Sequence, residues 1–214
     1  MNEDVANALC SAEVMNFGDY RLSSGRRSSF YINLRVLPSH PDVFDYISGS
    51  IAQICSQIGV EVVAGAEPNG VSLATGAALK AHLPAIFIKR APRRFIRGTP
   101  NLIIGKLQKG QKVVLVTDLI TNGYIKGKII DEIKKAGGIV ENIIAVLDKE
   151  EGAEENLSKE GIKLYSLIKV SELIEHMKAN SLVDEETYNK VIKSISEDSA
   201  AEPSEEFEPD GSDS

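Results

Sequence analysis

Between residues 60 and 168 the chain alternates short runs of Val and Ile with segments of helical periodicity, and this constrains its fold more than any other feature. The runs are VEVVAG (60–65), PAIFIK (84–89), KVVLVT (112–117) and IIAVLD (143–148), with KLYSLI (163–168) as a further one. Each is too short for an ordinary helix and rich in β-branched residues, as strands buried on both faces are. Strands separated by single helices require right-handed crossovers, so the expected class is α/β, with a mostly parallel sheet flanked by helices. Ligands of such sheets sit beyond the carboxyl ends of the strands. The turns after residues 65, 89, 117 and 148 are therefore expected to line one crevice.

The flanks read as helices. Residues 3–15 form one, and 42–58 another, in which Tyr46, Ile47, Ile51, Ile54, Cys55 and Ile58 share a face and Ser39 and Pro41 mark the start. A last amphipathic helix is expected over 183–196 through Val183, Tyr188, Val191, Ile192 and Ile195. Beyond it, residues 197–214 hold eight acidic residues and no Lys or Arg, too polar to offset the entropy of ordering, and are expected to be a disordered acidic tail.

That tail accounts for the net charge of −7, because the rest of the 214-residue chain carries 24 basic against 23 acidic residues. A neutral body speaks against a general nucleic-acid binder, and the length fits a single globular domain. Cys10 and Cys55 stand alone in apolar helical settings and read as buried free thiols. No stretch approaches the roughly 20 apolar residues of a membrane span, and MNEDVANALC lacks the basic start of a signal peptide, so a cytoplasmic location is expected.

VVLVTDLITNGYIKGKIIDEIKKAGG (113–138) has the layout of a strand, a small polar turn and a helix. Such a turn offers backbone N–H groups and a positive helix end to an anion. Asp118, at the strand's end, is placed to hold ribose hydroxyls beside a phosphate. The bland alternative is an ordinary turn in which Asp118 and Thr121 merely cap the helix.

Four blocks together resemble, in order and interval, those of orotate phosphoribosyltransferases. They are NFGDYRLSSGRRSSFYINLR (16–35), VVAGAEPNGVSLATGAAL (62–79), the strand–turn–helix segment above, and VLDKEEGAEENLSKEGIKLYSL (146–167). The resemblance implies a type I phosphoribosyltransferase fold over residues 1–180, with a small N-terminal hood. It also implies transfer of phosphoribosyl from phosphoribosyl pyrophosphate to orotate, giving orotidine 5'-monophosphate and pyrophosphate, with Mg2+ carried by the sugar substrate. A homodimer is implied too, in which a mobile loop closes over the neighbour's site.

Carried over by resemblance, Thr117, Asp118, Thr121, Asn122, Gly123, Tyr124 and Ile125 fall on the phosphoribosyl pyrophosphate loop. Arg90, Arg93 and Arg94, in RAPRRFI (90–96), fall on the mobile loop, where cations can stabilise the departing pyrophosphate. Arg90, Arg93 and Asp118 are the expected catalytic residues. Phe30, Tyr31, Thr121 and Lys149 fall on the orotate side. Several positions depart from the family pattern. Thr117 stands where a second acidic residue is usual, Tyr124 and Ile125 where small or hydroxylic residues are, and Phe95 and Ile96 replace a His-Gly pair. Ser23 takes the place of a lysine, and Lys149 that of an arginine, keeping the charge without its planar fork. The clustering of these departures leaves a second reading open, a noncatalytic relative that senses a ligand or partners an active homologue in a heterodimer. A nucleic-acid role for the basic loop lacks any recognisable binding module.

Overall fold

The computed structural model describes residues 2–21, 27–89 and 102–199. Its core is a six-stranded sheet in the order β5-β4-β3-β6-β7-β8. The strands are β3 (Val62–Ala66), β4 (Ala85–Ile88), β5 (Ile103–Ile104), β6 (Lys112–Ile120), β7 (Ile139–Asp148) and β8 (Lys163–Lys169). All pairings are parallel except β4 with β5, so the expected α/β architecture stands. The crossover helices are α3 (Asn69–Ala81), α4 (Tyr124–Lys135) and α5 (Ala153–Lys159).

Side chains of a strand alternate between faces, and here both faces are covered. In β6, Val114 and Val116 join the core beneath α2 (Pro41–Ile58), α3 and the chain termini, whereas Val113 and Leu115 join a second core containing Ile130 and Ile133 of α4 and Leu157 of α5. This is why the strand reads as an unbroken apolar run. β6 extends three residues past the expected end, because Leu119 and Ile120 keep pairing with Leu147 and Asp148 of β7.

The flanks bring corrections. The first helix, α1 (Asn2–Ser11), ends well before residue 15, where an antiparallel hairpin begins: β1 (Met15–Arg21) with β2 (Arg27–Ile32). Glu13 turns the chain with φ +50, and this hairpin is the hood. Helix α2 starts with Pro41 in its first turn and His40, not Ser39, at the cap, because Ser39 still belongs to a 3₁₀ turn over Leu34–Ser39. After α6 (Val170–Ala179), the last described helix is α7 (Glu185–Ser199), which starts two residues later than expected and ends three residues later. Asp184 sets that start by accepting the Thr187 N–H at 2.8 Å. Val183 and Tyr188, at the two positions of a hydrophobic staple around this cap, both pack against the core. Residues 197–199 of the expected tail are thus helical, and 200–214 lie outside the described residues. Cys55 is buried and Cys10 half-buried, both free; burial pushes the Cys55 thiol up to about 11.

Candidate active site

After β3 the chain crosses to β4 on one side of the sheet, and after β6 it crosses to β7 on the other. The switch point therefore lies between the carboxyl ends of β3 and β6, where an open α/β sheet leaves a crevice. Asp118 sits there, half-buried. Its Oδ2 accepts a hydrogen bond from Asn69 Nδ2 at 2.8 Å, across the switch point, and its Oδ1 accepts from Thr117 Oγ1 at 3.3 Å. Asp118 is therefore not a cap of α4. Thr117 is only 4% exposed, and its hydroxyl faces Asp118 and the Leu119 carbonyl. It supports the neighbouring carboxylate rather than offering a ligand group of its own.

The turn after β6 is tightly built. Asn122, buried, accepts the Tyr124 N–H on its Oδ1 at 3.1 Å, which closes the turn at the start of α4. Its backbone carbonyl accepts from Asn156 Nδ2 at 3.0 Å, which ties the turn to α5. Gly123 has φ +83, and a Cβ there would press on Leu157 at 3.2 Å, so two independent constraints require glycine. Thr121 is half-buried and the Tyr124 side chain 54% exposed, not packed into the fold. The start of α4 carries no acidic residue in its first turn, which suits an anion.

Lys149, expected on the orotate side, adjoins this turn. The Lys149 N–H donates to the Ile120 carbonyl at 2.9 Å, joining the ends of β7 and β6. Lys149 Nζ lies 5.9 Å from the ring centroid of Phe30 and 2.6 Å from Glu151 Oε1. Phe30 comes from the hood and Lys149 from the sheet, so the fold unites two residues that are distant in sequence. It does not bring Tyr31 with them. Successive strand residues face opposite ways, and Tyr31, 42% exposed, stands 5.8 Å from the Tyr20 ring while Phe30 is 2% exposed.

Arg90, Arg93, Arg94, Phe95, Ile96 and Ser23, and the Ile125 side chain, lie outside the described residues. The Lys89 N–H donates to the Leu102 carbonyl at 2.8 Å, so the two ends of the 90–101 segment meet at the carboxyl end of β4. Sequence reasoning missed Asn69, Glu151 and Asp148. The signal for Asn69 was its place just after a strand at the start of a helix. Asp148 ends β7, is 5% exposed and accepts the Glu150 N–H at 2.8 Å. Burial raises its carboxyl above the ordinary value, a shift that the Glu150 N–H partly offsets.

Comparison with known proteins places this geometry in context. The chain is 35% identical over 182 residues to an orotate phosphoribosyltransferase of Sulfolobus acidocaldarius, covering 85% of this chain and 91% of that one. The crystal structure of orotate phosphoribosyltransferase from Aeropyrum pernix superposes with a TM-score of 0.70 at 28% identity, over 81% of this chain and 99% of that one. A UMP synthase of Leishmania donovani shares the fold with a TM-score of 0.83 at 23% identity; the match covers 92% of this chain but only 42% of that longer one. No family model matches the chain.

Proposed function

Since the chain belongs to the orotate phosphoribosyltransferase family, we propose that it transfers the phosphoribosyl group of phosphoribosyl pyrophosphate to orotate, releasing pyrophosphate and orotidine 5'-monophosphate. The observation that carries this reading is the junction at Lys149. Its side chain stands over Phe30 while its backbone bonds the residue just ahead of the phosphate turn, so a base and a sugar phosphate held there would be neighbours.

In this reading the turn at Thr121–Gly123 and the start of α4 hold the 5'-phosphate through backbone N–H groups. Asp118 accepts hydrogen bonds from ribose hydroxyls. The Lys149 cation meets the carboxylate of orotate above Phe30, and to do so it shares or exchanges its bond to Glu151. Mg2+ enters as part of the substrate, chelated by pyrophosphate. Asp118, with two neutral donors already on it, is arranged for hydroxyl groups rather than for a resident ion. Arg90, Arg93 and Arg94 supply charge to the departing pyrophosphate, in this reading by closing over the site of a second copy in a homodimer. Among the described residues no helix is long and apolar enough to cross a membrane.

Steady-state kinetics tests the assignment. Lys149→Met is expected to raise KM for orotate at least about tenfold, as loss of a charge-assisted bond implies, while KM for phosphoribosyl pyrophosphate stays within about twofold. Equal changes in both would remove Lys149 from the base site.

A further inference from the structure

We propose that Asn69 is a positioning residue for the ribose-binding carboxylate: it holds Asp118 across the switch point so that a single carboxylate presents a fixed edge to the sugar. The proposal rests on the function given above. An asparagine in the first turn of a helix ordinarily spends its side chain on local backbone groups. Asn69 opens α3, yet its amide reaches over to Asp118 Oδ2 at 2.8 Å, and the cap position before it, Pro68, makes no side-chain bond.

Backbone packing makes this reach possible. A Cβ on Gly65 would overlap the Gly70 carbonyl, and one on Gly70 would come within 2.9 Å of the Val116 carbonyl. Only because both are glycine does the first turn of α3 lie directly on β3 and β6, with Asn69 opposite Asp118.

The second donor is the buried Thr117 hydroxyl, whose one proton is shared between Oδ1 and the Leu119 carbonyl, each at 3.3 Å. Both donors are neutral. They fix the carboxylate without adding negative charge beside a pyrophosphate, as a second carboxylate at position 117 would. An ionised carboxylate has about four acceptor positions, so two donors leave room for a pair of sugar hydroxyls. The departure at Thr117 and the presence of Asn69 thus belong to one arrangement.

The test uses the full chain carrying Asn69→Ala or Asn69→Asp, with KM for each substrate, calorimetric binding of phosphoribosyl pyrophosphate and of inorganic phosphate, and melting temperature. Asn69→Ala is expected to raise KM for phosphoribosyl pyrophosphate about tenfold, the value of one bond to a charged group, leaving KM for orotate, phosphate binding and melting temperature unchanged. Asn69→Asp, nearly the same shape but an acceptor that repels Asp118, should lose more. An Asn69→Ala variant that binds the sugar substrate equally well or better would overturn the proposal, the latter because Asn69 would then compete with the sugar. Parallel losses for orotate and phosphate with a lower melting temperature would overturn it too, since they indicate a general structural role. If the unaltered chain binds no phosphoribosyl pyrophosphate, the functional reading falls and takes the proposal with it; the other two outcomes sink the proposal alone.

Discussion

Single residues decide how charge is handled in this crevice. Asp148 is the most buried carboxylate among the described residues, and its carboxyl is raised above its ordinary 3.8 by burial, despite the Glu150 N–H and the nearby Lys169. Its favourable contribution is therefore complete below about pH 3.8 and is lost as pH rises through the folded value, leaving a buried charge at neutral pH. Asp148→Asn keeps an acceptor for Glu150. It is expected to melt higher than the parent at pH 7 and to lose that advantage as the pH falls towards 3.8, which a series of thermal melts would check. The Cys55 thiol, buried and pushed up to about 11, should stay unreactive towards a soluble disulfide reagent at pH 8 in the native protein and react only on unfolding.

Among the elements, α7 has a role its sequence does not announce. It packs on β2, where Ser194 Oγ lies 2.9 Å from Ser29 Oγ, next to the Phe30 that stands under Lys149. Helix α7 therefore holds the hood in place beside Phe30 and Lys149. Ser194→Ala or Ser29→Ala is expected to raise KM for orotate about two- to fivefold, with no change for phosphoribosyl pyrophosphate, and the double variant should be no worse than either single one. A simple product of the two single effects would mean that the hydroxyls act independently. The elements differ in how legible they were. Strands β3, β6 and β7 were visible because burial on both faces leaves runs rich in Val and Ile, and α2 was visible through its apolar face. The hairpin of β1 and β2 was not, because its burial alternates poorly around an irregular register and its partner face is supplied by helices remote in sequence. The turn into α4 was legible as a polar turn between a strand and a helix, but the bond from Asn69 to Asp118 spans two crossovers and has no local pattern.

At the scale of the molecule, the parallel sheet and its switch point bring the ends of β3, β6 and β7 together, and the proposed site draws on residues 30, 69, 118, 121–123 and 149 at that convergence. The departures from the family pattern raised the question of whether such a site works. Thr117 supports Asp118, the Tyr124 ring is largely exposed, and Lys149 keeps its cation beside Phe30, so these three are accommodated by the fold. Quantification of both products tests phosphoribosyl transfer to orotate. The purified chain, given phosphoribosyl pyrophosphate, Mg2+ and orotate, should form orotidine 5'-monophosphate and pyrophosphate in equal amounts, only when all three are present, with at least about a hundredfold loss in Asp118→Ala. A folded chain that forms no orotidine 5'-monophosphate under these conditions would rule out this activity.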